Sequence, residues 1–205
     1  MPDYLRMGFI LMVVGMVATA ILAATESATR EPIAEAKRQE TLRMLRMVLP
    51  PGFDNEPVND TVTLADKKLN RKEKPVIFYR ARKGTDASGV AYIVTAPDGY
   101  SGDIEIMMSV LPTGMVHLVQ IVAQNETPGL GDKILPTKTD WLRAFVGKNR
   151  ENTRWRVKKD GGDFDQFAGA TITPRAVVHA VKRGLDFFVE KKELIFQPAT
   201  VEKKP

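Results

Sequence analysis

The chain has no cysteine and only two histidines in 205 residues. Without thiols it forms no disulfide, no thiolate zinc or iron–sulfur site and no thiol nucleophile. The lack of thiols names no compartment, but it removes any redox conflict with an oxidising one. His117 and His179 stand apart from one another and from any metal-ligand spacing, and they read as ordinary residues. The G-x-S-x-G elbow, H-E-x-x-H, the phosphate-loop lysine motif and G-x-G-x-x-G are all missing, so hydrolase, kinase and dinucleotide readings have no footing. Charge of one sign is not gathered into one long arm: apart from a basic patch around Lys67 to Lys74, 30 Lys and Arg interleave with 25 Asp and Glu, for a net charge of +5. That pattern makes a generally basic surface and argues against nucleic-acid binding. Asp160, Asp163 and Asp165 lack the rest of a calcium-loop pattern and read as turn residues. There is no internal repeat or low-complexity block.

The longest apolar run is MGFILMVVGMVATAILAAT, Met7 to Thr25, without a charge. As a helix it reaches about 28 Å, enough for a bilayer core. It is apolar on every side, which a buried core helix at a terminus has no reason to be. A cleaved signal is the rival, with Ala18-Thr19-Ala20 or Ala23-Ala24 before the cut; the run exceeds the usual signal core of about 7–15 residues, which favours a retained anchor. Arg6 precedes the run, while Arg30, Lys37, Arg38, Arg43 and Arg46 follow it. Counted literally, those charges leave the body in the cytoplasm.

The body fits one medium domain. Residues 26–49 read as a helical continuation with the apolar stripe Ile33, Leu42, Leu45, Val48 and Leu49, stopped by Pro50-Pro51-Gly52. Residues 53–74 read as polar turns. Strand signals follow at 76–81, 89–96, 103–110 and 115–123, separated by short turns, and argue for an antiparallel meander. The last is almost continuously apolar and is expected at the sheet centre. Trp141 to Phe145 suggests a short helix. Val177, Val178, Val181, Leu185, Phe188 and Val189 form one stripe of a helix from Pro174 to about Lys192. The expected class is α+β: an N-terminal transmembrane helix, then an antiparallel-sheet domain with flanking helices. The divisions are 1–6 a short lead, 7–25 the span, 26–52 a helical stalk, 53–196 the domain and 197–205 a tail.

Two segments carry candidate chemistry. Glu126-Thr127-Pro128-Gly129-Leu130-Gly131 follows the last strand. Pro-Gly suits a type II turn, Gly131 permits close backbone approach, and Leu130 can cover the face of a flat ligand. Plain turn and ligand loop are equally good readings of it. In Asp165-Gln166-Phe167-Ala168-Gly169-Ala170-Thr171-Ile172-Thr173-Pro174, Thr173 is expected as an N-cap and Pro174 as the first helical residue. Free amides and the positive dipole end make that helix start an anion site beside Thr171. On spacing alone, a loop entering a capped helix explains as much.

Together these segments and the apolar N-terminus resemble the FMN-binding domain family, in the form of the G-type subunit of Rnf-type (also called Rsx) electron transport complexes. The family motif is similar to D-x-x-[ST]-G-A-T, met here by Asp165, Ala168, Gly169, Ala170 and Thr171, with Ala168 departing from Ser or Thr. The resemblance implies FMN joined by a flavin transferase through its phosphate to Thr171, which does no acid–base chemistry. It implies that Glu126, Thr127, Pro128, Gly129, Leu130 and Gly131 lie near the isoalloxazine ring, and that Thr173 belongs to the same site. It implies an electron-carrying subunit rather than a stand-alone enzyme: inner-membrane, single-pass, soluble domain in the periplasm, partnered by the other subunits of a ferredoxin- and NAD-linked ion-translocating complex. The alternatives are a component like the C-type subunit of sodium-translocating NADH:quinone oxidoreductase, a flavin-free exported scaffold, or a noncovalent flavin protein.

Overall fold

A long helix, α1 (Asp3–Val48), opens the chain in the computed structural model, which describes residues 2–197. The tail expected at 197–205 therefore falls, beyond Gln197, outside the described residues. Stalk and apolar run form one helix that includes Pro32, where one intrahelical donor is missing. Within the apolar run Thr19 and Thr25 donate their hydroxyls to the carbonyls of Gly15 and Ile21, each at 2.8 Å. This satisfies polar groups inside the helix, as an apolar surrounding requires. Helix α1 is long and apolar enough to cross a membrane. The chain divides into two units, Met1–Arg43 and Met44–Pro205.

The second unit is built on a five-stranded antiparallel sheet in the order β1-β2-β3-β4-β5: Thr61–Leu64, Val76–Lys83, Asp86–Ala96, Ile104–Val110 and Val116–Ala123. The meander is as expected, with an extra strand. β1 was hidden in the polar stretch because TVTL is four residues long, has no fully buried position and lies on an edge, where pairing with β2 (Thr61 opposite Tyr79) does most of the work. β5 is the opposite edge, not the centre. Its apolar residues are explained by cover on both faces: Val116, Val119 and Ile121 join the main core, while Leu118 and Val122 pack with the other cluster. The segment at 145–148 covers its edge, with Val116 N–H bonding the Lys148 carbonyl at 2.8 Å and Gly147 N–H bonding the Val116 carbonyl at 2.9 Å.

The second helix, α2 (Ile172–Phe196), lies across one sheet face. Val177, Val178, Val181, Leu185 and Phe188 are buried as the stripe predicts, but Val189 is 42% exposed and points off it. The helix lies tight on the sheet at Gly184, where a Cβ would stand 2.6 Å from Val94 Cγ1 and 2.7 Å from Met108 Sδ. Tyr92 Oη also donates to the Gly184 carbonyl at 2.9 Å. The end of α2 is held by arginines from β2. Arg80, 2% exposed, donates to the Gln197 carbonyl at 2.5 Å and pairs with Asp60, which also takes Arg82 Nε at 2.6 Å. Cations at a helix C-terminus meet its unpaired carbonyls and its negative dipole end. On the other sheet face Leu45, Val48 and Leu49 pack against Ala81, Ala91 and Met107, and the buried Ser109 hydroxyl donates to the Val48 carbonyl.

Gly184→Val forces the helix off the sheet. The expected loss is about 1–3 kcal/mol from overpacking, measured as a lower urea midpoint at unchanged slope; an unchanged midpoint would contradict the close approach.

Candidate cofactor site

The two candidate segments, remote in sequence, meet at the start of α2. Glu126 joins them. Its side chain is buried (4% exposed), accepts the Ser101 N–H on Oε1 at 3.0 Å and accepts the Thr173 hydroxyl on Oε2. Glycines surround the carboxylate because nothing larger fits. A Cβ on Gly131 would lie 2.6 Å from Glu126 Oε2 and 2.8 Å from Thr173 Oγ1, and one on Gly99 would lie 2.9 Å from Oε1.

Thr127-Pro128-Gly129-Leu130 is a turn closed by Leu130 N–H to the Thr127 carbonyl at 3.1 Å, with Gly129 at φ +77. Proline second and a left-handed glycine third are the type II requirement, as expected. Asp132, buried and not singled out by the sequence, takes the Gly129 N–H at 2.7 Å and braces this turn. The second segment turns likewise: Ala170 N–H bonds the Phe167 carbonyl at 3.1 Å across Gly169, φ +76. Leu130, 43% exposed, lies against this second turn, with Cδ2 at 3.7 Å from where a Gly169 Cβ would be. The loops thus touch through Leu130 and Gly169 outside, and through Glu126 and Thr173 inside.

The capping expectation is corrected. Thr171, not Thr173, occupies the cap position; its φ of −72 and ψ of −28 are already helical, and its side chain makes no capping bond. Thr173 is in the first turn, because its hydroxyl serves the buried Glu126. Pro174 is the third helical residue, still where an N–H would have no intrahelical partner. The first-turn amides of Ile172 and Thr173 lie before the helix bond from Arg175 N–H to the Thr171 carbonyl at 3.3 Å. Thr173 faces inward and Ile172 outward, at 1% and 46% exposure, with Thr171 half-buried between core and solvent.

Trp141 fixes the approach to this turn: its Nε1 donates to the Asp165 carbonyl at 2.8 Å and its ring meets Phe167 at 5.6 Å. Its signal was a lone tryptophan in a short polar-flanked helix, which periodicity cannot assign to a site. The Asp165 carboxylate itself is exposed and pairs with Lys158 at 2.6 Å. Arg175 binds Asp160 through two bonds, 2.7 and 3.0 Å, and that hydrogen bonding holds the Asp160 carboxyl below its usual range. Asp163 is lowered likewise by the Arg154 backbone and side chain. These aspartates are committed to cations in turns. His179 is lowered by burial and then by Arg183 and Arg175. No cluster of metal-ligating groups occurs among the described residues.

Removing the Glu126 carboxylate strands the Ser101 and Thr173 donors. Glu126→Ala is expected to cost about 1.5–3 kcal/mol, the range for hydrogen bonds to a charged group. Combined with Thr173→Val, the urea-measured losses should be non-additive by at least about 0.5 kcal/mol; strict additivity would mean that the pair does not act as a unit.

The sequence matches the family described as FMN-binding domain over residues 99–186, which contain every one of these site residues, and the RnfG N-terminal region over residues 3–48. Among curated relatives, the G-type subunit of the ion-translocating oxidoreductase complex of Pseudomonas aeruginosa is 42% identical over 198 residues, covering 95% of this chain and 92% of the relative. The protein of the same name from Aliivibrio fischeri is 40% identical over 204 residues, 97% of each chain. A crystal structure of Shewanella oneidensis NqrC aligns over 70% of each chain with a TM-score of 0.45 and 20% identity. With identity near 40% over almost the whole length, on a chain whose two candidate loops converge within the matched domain, this protein belongs to the family of G-type subunits of ion-translocating oxidoreductase complexes.

Proposed function

We infer that this chain is the FMN-bearing electron-transfer subunit of a membrane-bound, ion-translocating complex, with FMN attached through its phosphate to Thr171. The family supports FMN and the complex. The observation that carries the attachment is local: the Thr171 hydroxyl stands half-buried at the head of α2 and makes no capping bond. The residues present fit the group. The Ile172 and Thr173 amides and the dipole favour the single negative charge of a phosphodiester. Ala168 and Gly169 are exposed and small, so the turn before Thr171 is open to a transferase and to the flavin. Leu130 offers an apolar surface beside that turn.

FMN, when bound, supplies one- and two-electron transfer. The chain's own residues do the rest. Glu126 holds the head of α2 against the Thr127–Gly131 loop, so Thr171 and Leu130 keep one geometry. The Thr127-Pro128-Gly129 turn aims Leu130. Asp165, through its backbone bond to Trp141, fixes the start of the Ala168-Gly169-Ala170 approach. Thr171 acts only as an anchor and does no acid–base chemistry. A covalent anchor keeps the cofactor in place outside the cytoplasm. The soluble unit is assigned to the periplasmic side of the inner membrane, against the literal charge count.

Co-expression with an active flavin transferase should give a denatured band with flavin fluorescence, and Thr171→Ala should abolish it with the thermal transition kept. A label surviving the substitution would place the attachment elsewhere; flavin released on denaturation would make it noncovalent; no flavin at all, with a labelled control, would leave a scaffold. For orientation, a reporter active only in the periplasm, fused after α2, should report activity, and a silent one beside a working cytoplasmic reporter would reverse the assignment.

A further inference from the structure

Among the described residues of the second unit, the sheet face opposite α2 is only half covered. Leu45, Val48 and Leu49 pack over one half. The other half is a groove of about 490 Å³ whose lining includes Ile77, Tyr79 and Ile93. It opens because β2 and β3 part: their ladder starts at Tyr79 opposite Ala91, and toward Val76 the fully buried Leu69 enters instead, its carbonyl taking the Thr95 N–H at 2.8 Å. The 70–75 segment after Leu69 is left to line the groove. Ile77 is 44% exposed there, although it lies inside a strand flanked by paired neighbours.

The groove is polarised. Lys72 and Lys74 lie beside β2, and Asp103 and Glu105 lie at β4; all four line it and none has an ion pair among the described residues. Nearby cations are already engaged, Arg71 with Asp98 at 2.8 Å and Lys67 with Glu73 at 3.2 Å. From β2 to β4 is two strand spacings, about 10 Å, the width of one helix or one extended segment with its side chains. Unpaired carboxylates on one rim would repel an anionic lipid surface. A two-fold pairing of copies would set concavity against concavity and leave the groove unfilled.

We propose that this groove docks an amphipathic segment of a neighbouring subunit, apolar side chains on Ile77, Tyr79 and Ile93, a carboxylate facing Lys72 and Lys74, and a cation facing Asp103 and Glu105. That the occupant belongs to the same complex rests on the function assigned above. The geometry leaves Thr171 and its loops untouched, so docking here and cofactor attachment are separable.

The test uses the full chain in membranes of a host making the whole complex. A photo-cross-linking residue replaces Ile77, with one at Val189, exposed on α2, as control. Ile77 should give an adduct with another subunit, mapped by mass spectrometry to a segment carrying Asp or Glu beside apolar residues, and Val189 should not give that adduct. Lys72→Glu with Lys74→Glu, both exposed positions whose change should leave the thermal transition in place, should lower the adduct about tenfold through like-charge contact. Lys72→Gln with Lys74→Gln should lower it less. An adduct only with lipid, a small molecule or a second copy overturns the proposal, as does an adduct indifferent to charge reversal. No Ile77 adduct from a complex that co-purifies intact overturns the docking alone. Failure of any other protein of the complex to co-purify with the unsubstituted chain overturns both the complex and the docking.

Discussion

A single buried carboxylate organises the candidate site. Glu126 leaves the end of β5, turns inward and is satisfied by two donors from distant parts of the chain, the Ser101 amide and the Thr173 hydroxyl. A desolvated carboxylate without donors is costly, so the three segments are held together or not at all. Gly99 and Gly131 belong to the same constraint, since a side chain at either would occupy the space of the carboxylate. Thr171, Gly169 and Leu130 inherit their positions from it.

The helix that carries Thr171 is tied at three points by different physics. At its start Thr173 bonds Glu126; at its middle Gly184 lets it lie on Val94 and Met108; at its end Arg80 and Arg82, which share the Asp60 carboxylate, approach its last carbonyls. The last tie is expensive in desolvation, because Arg80 is buried and its Nε has no partner among the described residues. A buried ion pair of this kind adds little net stability, whereas removal of Asp60 would leave the buried Arg80 uncompensated. A helix tied at both ends presents its first turn at a constant angle, which a cofactor joined there would need in order to face a partner reproducibly.

The sheet divides labour between its faces. One face buries α2 and the main core. The other receives the last turn of α1 on one half and leaves the polarised groove on the other. An antiparallel sheet tolerates an open face when that face is polar; here it is partly apolar and rimmed by charge of both signs that has no ion pair among the described residues, a surface shaped for company rather than for water.

What the residues alone determined was local. A charge-free run at Met7–Thr25 reads as membrane-crossing, alternating strands read as a meander, Pro128-Gly129 reads as a type II turn and the stripe from Val177 to Phe188 reads as a packed helix, because each rests on neighbours in sequence and on backbone preference. Membership of an FMN-binding family was legible only as a resemblance, carried by Asp165 to Thr171 and Glu126 to Gly131 taken together with the apolar N-terminus. Only the tertiary structure decided that Thr173 serves Glu126 rather than the helix end, that β5 is an edge covered on both faces, that β1 exists, and that Trp141 and Asp132 brace the site. Each of those depends on a contact between residues far apart in the chain, and propensity or spacing has no access to such a contact until the chain has folded.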